Sequence, residues 1–194
     1  TYIEIEDRKI GCSESNNLIA ESCDTEYLMH LDDDVYLESD VISKELDYLK
    51  STDTDIVSCC WYDTGYGDWR ECAVKHIYGY KETKSYIYRI FLPYNVAKAL
   101  GFSFVKSDEA LHSMIVDMNV YDKVKWDNNF KWKGDRLDFF LSCKLHGIKI
   151  GVVTDTVIHD SKPYLYGTMA REYNGAEARK YFEEKWNLTP IVGW

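Results

Sequence analysis

Proline, paired cysteines, long apolar runs and positive charge are all scarce in this chain, and each scarcity removes a class of protein. Three prolines in 194 residues, with no repeat and no low-complexity tract, exclude a repeat array or a proline-rich linker. None of the six cysteines stands in a Cys-x-x-Cys pair, which argues against zinc. Six cysteines in a chain this long also argue against a disulfide framework. They are expected to be mostly buried thiols in a reducing compartment, the cytoplasm, with any membrane attachment made peripherally through a region outside this chain. No apolar stretch approaches the ~20 residues that span a bilayer, and no secretory signal pattern is present. Lys and Arg number 23 against 33 Asp and Glu, for a net charge of −10. That balance opposes nucleic-acid binding, which needs clustered cations against phosphate.

What the chain does have is a folding composition. A hydrophobic fraction of 45% with 15% aromatic residues supports a substantial core, and the length suits one domain. Strand-like alternation marks "TYIEI", "EYLMHL", "DIVSCCWY", "SMIVDMNVY" and "IKIGVV", and "KHIYGYKETKSYIYRIFL" reads as a hairpin. Helical spacing marks "SESNNLIAES" with Ser13 as cap, "SDVISKELDYLK" with Ile42, Leu46 and Leu49 on one face, and "PYNVAKALG" closed by Gly101. It also marks "GDRLDFFLSCKLHG" ended by Gly147, and "GAEARKYFEEKW". Strands alternating with helices predict an α/β fold around a mainly parallel central sheet flanked by helices.

The chemistry concentrates in "TEYLMHLDDDVYL". Asp32, Asp33 and Asp34 follow an apolar strand directly, and adjacent carboxylates repel unless water or a cation compensates them. One reading is a solvated turn. The other is a divalent cation held by one or two carboxylates together with substrate phosphates. The spacing of a helix–loop–helix calcium loop is absent. Alternation puts Asp32 and Asp34 on one side of an extended chain and turns Asp33 away. In open α/β sheets ligands bind beyond the carboxyl ends of strands, which is where the triplet stands.

The stretch "SNNLIAESCDTEYLMHLDDDVYL" resembles the core of nucleotide-sugar glycosyltransferases of the GT-A fold, especially the large inverting family numbered two. The resemblance implies a Rossmann-like GT-A domain and a metal-dependent transfer of a sugar to an acceptor hydroxyl. The donor it implies is a nucleotide sugar such as UDP-glucose, and the acceptor a glycan or glycoprotein. Carried over by position, Asn17 matches the helix asparagine, Asp32 the acid near the ribose and metal, and Asp34 the acid that coordinates Mn²⁺ or Mg²⁺. Asp33 is grouped with the donor contacts. The family's two opening strands, which cradle the nucleotide base, have no counterpart here. About 40 to 50 residues of that half are expected to be replaced or to lie upstream, by the usual length of a βαβ unit.

The later block "WDNNFKWKGDRLDFFLSCKLHGIKIGVVTDTVIHD" is similar to the family's second signature, in the right order. His159, at the end of its last strand, matches a further metal ligand, against the default of a surface histidine. Arg136 replaces the acid that commonly serves the family as base, and is grouped with the donor contacts, with acceptor binding or a solvated helix position as the alternatives. The remaining acids are Asp135, which competes with a role as helix cap, and Asp138, whose burial beside Phe139 and Phe140 would raise its pKa. Trp126 and Trp132 are candidate acceptor platforms, because exposed indoles stack on sugar rings, with core packing as the ordinary alternative. The Tyr-rich segment after His159 reads as a lid carrying Lys162 and Arg171. The whole of 1–194 is then one domain: residues 1–60 serve the donor and metal, and 61–194 the acceptor, lid and closing helix. A non-catalytic carbohydrate- or metal-binding module and a related nucleotidyltransferase are the alternative readings.

Overall fold

The computed structural model describes residues 10–32, 35–63, 69–111, 113–131, 133–160 and 175–191, with the backbone only at 62–63, 69–70 and 158–160. The predicted strand "TYIEI" lies outside these residues. In chain order the elements are α1 (Cys12–Glu21), β1 (Tyr27–Leu31), β2 (Val35–Leu37), α2 (Val41–Ser51), β3 (Ile56–Asp63), β4 (Trp69–Lys81) and β5 (Lys84–Pro93). There follow α3 (Tyr94–Ala99), β6 (Phe104–Ser107), β7 (Ser113–Asp117), α4 (Asp135–Leu145), β8 (Ile150–Asp160), α5 (Gly175–Trp186) and β9 (Thr189–Pro190).

Among the described residues the strands form one nine-stranded sheet organised around β3. One edge of β3 carries β8 in parallel. The other edge is divided: Ile56 and Val57 pair with β7, while Trp61, Tyr62 and Asp63 pair with β4. The path then runs from β7 to β1 on one branch and from β4 through β5 to β9 on the other. Only β3–β8 and β5–β9 are parallel; the other six pairings are antiparallel. The mixed α/β architecture is as expected, but the mainly parallel sheet is not. The long hairpin and the return of β7 between β1 and β3 supply neighbours of opposite direction, which short connections favour.

Period-two alternation distributes the core between two faces. Ile56, Val116 and Ile150 join Ala20 of α1 and Phe139, Phe140 and Cys143 of α4 in one cluster. Their chain neighbours Val57 and Ile115, with Val153, join Leu49 of α2 in another. Helix α2 buries Val41, Glu45 and Leu49, a stripe at i, i+4 and i+8. Ile42, expected on the buried face, is 44% exposed.

Helix α1 begins at Gly11 rather than at a Ser13 cap. A Cβ on Gly11 would come within 2.6 Å of the Lys131 backbone, and the Cys12 N–H donates to the Lys131 carbonyl. Close docking therefore sets this helix start, and Ser13 is buried one residue inside it. Gly101 and Gly147 close α3 and α4 as predicted, both at positive φ. Cys60 and Cys72 form a disulfide between β3 and β4, a bridge that the expectation of mostly buried thiols did not include; Cys12, Cys23, Cys59 and Cys143 are free. Among the described residues no helix is long and apolar enough to cross a membrane.

Candidate functional site

Strand β1 ends at Leu31, and Asp32 follows at the mouth of a cleft of about 230 Å³. Residues Met29 to Asp32 form one wall, Asn16 and Ile19 of α1 a second, and Arg136 and Phe140 of α4 a third. The Arg136 guanidinium reaches across to the Asp32 carboxylate, with Nη2 3.9 Å from Oδ2. Cys12 reports how closely the charges gather here. Burial is the first cause that pushes its thiol up to about 11, then the carboxylates of Asp135 and Asp32, with Arg136 opposing. Cys12 and Asp135 are the first residues of α1 and α4, so two helix N-termini converge on this end of the cleft. Among the described residues Arg136 is the cation that lines the cleft, set against Asp32 and beside Asp135.

Helix α4 sorts the acids that the sequence left open. Gly134, at φ +81°, holds the N-cap position and no side chain caps the helix, so Asp135 is not the helix cap that was the alternative to its role as base. Asp135 is half-buried beside Arg136, and desolvation raises its carboxyl above the ordinary range despite the neighbouring guanidinium. Asp138 has a different position. It is 1% exposed, and its Oδ1 accepts from Trp186 Nε1 at 2.7 Å and from Lys185 Nζ at 2.8 Å. Burial raises its carboxyl as expected, but a group sealed under α5 has no route to an acceptor. Asp138 ties two helices together, which corrects its candidacy as catalytic base.

Two further expectations change for the same reason. Trp126 is 6% exposed and stacks on Phe139 with ring centroids 4.1 Å apart. It floors the cleft and presents no open face to a sugar, so core packing prevails over the acceptor platform. The Asn17 amide donates to the Trp126 carbonyl and to Asn128 Oδ1, both at 2.8 Å, and its oxygen accepts from the Trp126 N–H. Both ends of the side chain are committed to holding α1 against residues 126–128. Asn17 thus holds in place α1, which carries a wall of the cleft.

Asp33, Asp34, Trp132, Lys162 and Arg171 lie outside the described residues, as does the His159 side chain. The backbone of His159 does lie in β8, opposite Tyr36 of β2. The strand that resumes directly after the acid triplet therefore pairs with the strand end that bears His159. Among the described residues no three His, Cys, Asp or Glu side chains gather as a metal centre.

Sequence reasoning missed His30 and Asn16, which line the same cleft. Period-two alternation could have found His30, since it shares the side of β1 with Asp32. Burial lowers its imidazole to about 4, against the pull of Asp32, so it is neutral at pH 7. Its Nε2 lies against the Tyr121 hydroxyl, leaving a short-range polar group on a strand otherwise built of apolar residues.

A family model described as glycosyl transferase family 2 matches residues 1–111, more than half of the chain. No curated protein matches it in sequence. Among solved structures, the crystal structure of GalNAc-T7 with UDP, GalNAc and Mn²⁺ shares the fold, with a TM-score of 0.57 over 80% of this chain at 10% identity. This chain spans 31% of that protein's length.

Proposed function

The chain belongs to glycosyl transferase family 2, and from that membership we propose a metal-dependent glycosyltransferase. It would move a hexose from a UDP-sugar donor to a hydroxyl of a glycan or glycoprotein acceptor. The observation that carries the reading is the cleft in which Asp32, at the end of β1, faces Arg136 at the start of α4, with Asp135 beside it. The neighbouring structure's UDP and Mn²⁺ suit this site in chemistry. We assign the whole chain to one domain, residues 1–60 serving the donor and metal and 61–194 the acceptor.

Asp32, Asp34 and His159 would hold Mn²⁺ or Mg²⁺. The pairing of Tyr36 with His159 supports this set, and carboxylates with an imidazole are a fitting donor set for such an ion. A bound divalent ion stabilises the charge that develops on the leaving diphosphate. Arg136 and the two helix N-termini attract the same phosphates, with Asp33 on the donor side. Asp135 takes the proton from the acceptor hydroxyl, and its raised pKa brings it nearer the operating pH of a general base. Trp132 remains the aromatic candidate for the acceptor.

The test is sugar transfer and donor hydrolysis with UDP-glucose and UDP-GalNAc, with and without Mn²⁺, in the wild type, Asp135→Asn and Asp138→Asn. The wild type should turn over only with metal. Asp135→Asn should lose roughly 10²- to 10⁴-fold in rate while keeping its melting temperature and UDP affinity. Asp138→Asn should act on stability first. No metal-dependent turnover of any nucleotide sugar sinks the proposal, and full activity in Asp135→Asn removes the base from that position.

A further inference from the structure

Charge and exposed apolar surface are both concentrated in one part of the chain, away from the cleft. Residues 72–107 contain five lysines and Arg89 against a single acid, Glu82, a sequence balance of +5 inside a chain of −10; of these cations Arg89 is matched by Glu109 and Lys75 by Asp108 at 3.7 Å. From Thr83 to Ser107 there is no carboxylate side chain at all. The same stretch holds eight of the fifteen exposed large apolar side chains among the described residues. A soluble surface with no partner usually spreads such groups singly. Their coincidence with the basic segment calls for a common cause.

The hairpin register shows how they are arranged. Lys75 opposes Ile90, Ile77 opposes Tyr88, and Lys81 opposes Lys84. Directly opposed residues of an antiparallel pair share a face, as do residues two apart on one strand. These six therefore occupy one face of the β4–β5 hairpin, and all of them are exposed, Ile77 at 49% and Ile90 at 51%. The opposite face is anchored inward at His76, Ile87 and Arg89, while Tyr78 and Tyr80 toward the hairpin tip stay exposed on it. His76 and Arg89 both bind the buried Glu109 carboxylate, with Arg89 Nε 2.7 Å from Oε1, and Ile87 joins the core under α4 and α5. At the base of the hairpin the exposed face continues into α3, whose Ala97 shares a buried cluster with the opposed pair Ala73 and Leu92. The exposed Val96, Leu100 and Phe102 belong to this end of the surface, with Lys98 beside Tyr94.

We infer that this face of β4, β5 and α3 docks on an anionic lipid surface. The exposed cations there are lysines, point charges on long apolar stems that reach headgroups while their stems lie along the interface. Arg89, whose fork is suited to a protein carboxylate, is instead turned inward onto Glu109. Tyrosine and isoleucine interleaved with lysine match the layered chemistry of a bilayer boundary, where aromatic rings favour the headgroup level. Charge complementarity also fixes the orientation. The remainder of the chain carries a net charge of −15, so approach by this face is favoured over approach by the rest.

Co-sedimentation of the full chain with vesicles tests this directly. Wild type should bind phosphatidylcholine–phosphatidylserine vesicles at low ionic strength, bind phosphatidylcholine alone far less, and release as salt screens the attraction. Lys81→Glu with Lys84→Glu should lower the partition coefficient at least tenfold, since each lysine near an anionic surface contributes roughly fivefold. Ile77→Ser with Ile90→Ser should lower it similarly at low salt, which bare charge attraction would not explain. Lys180→Glu, on the exposed side of α5, should leave it unchanged, and melting temperatures confirm that each variant is folded. Failure of the wild type to bind anionic vesicles overturns the inference and leaves an acidic protein surface as the occupant. Equal loss in Lys180→Glu overturns it as well, because net charge rather than this face would then govern binding.

Discussion

Glu45 has no exposed surface and points from α2 into the sheet. Burial raises its carboxyl from 4.5 to about 7, opposed by hydrogen bonding with the Cys59 thiol. The folded chain therefore keeps this proton over a range in which the unfolded chain has released it. Its stability contribution is complete below pH 4.5 and is lost as pH rises toward 7. The difference corresponds to about 3 kcal/mol. Denaturant unfolding at pH 4.5 and pH 8 should show wild type losing about that much relative to Glu45→Gln; parallel pH dependences in the two would refute the assignment. Glu45 was not legible in the sequence, because the apolar stripe drawn through Ile42, Leu46 and Leu49 assigns a charged residue to water. Asp32 was legible, since three acids at a strand end break the apolar pattern. Trp126 and Asn17 were not, because packing and backbone hydrogen bonds between residues 109 apart in sequence leave no local trace.

At the scale of elements, one ammonium of α5 meets two carboxylates. Lys185 reaches Asp127 at 2.7 Å and Asp138 at 2.8 Å, so a single side chain joins α5 both to α4 and to the segment before it. Burial would raise Asp127, but Lys185, Asn129 and Tyr181 hold it down at about 2. Lys185→Met leaves the sealed Asp138 with Trp186 as its remaining Oδ1 partner and should cost about 3 kcal/mol. Amide exchange should accelerate across residues 175–186, and adding Asp138→Asn should recover part of the loss, because the uncompensated charge is then gone. Unaltered exchange in Lys185→Met would show that the apolar contacts of Phe182 suffice. The helices themselves were readable from periodicity and their glycine ends, and most strands from alternation. The short strands β2, β6 and β9 were not, since two to four residues carry no period. Nor was strand direction: a pattern of alternating helices and strands leaves open where the chain turns back on itself.

For the whole molecule, the family match ends at residue 111, before α4. The later block that carries Asp135 and Arg136 joins the site through the fold, because α4 brings its N-terminus against the end of β1. The chain's two branches diverge from β3, and the Cys60–Cys72 bridge fastens the hairpin branch to that strand. Such a bridge acts chiefly on the unfolded chain, whose loop it closes, and 12 residues of separation place its contribution at about 3 kcal/mol. Both sulfurs are fully buried, so a reductant should act slowly on the native protein and quickly once the chain opens. Alkylation after denaturation without reductant should modify four cysteines, the ones free in the structure. Cys60→Ala with Cys72→Ala should lose about 2 to 4 kcal/mol in oxidising buffer. In that variant a reductant added during unfolding should change nothing, whereas it should lower wild type toward the same level. Six alkylated cysteines in the unreduced wild type would show that β3 and β4 are held by packing alone, and would restore the chain to a protein of thiols.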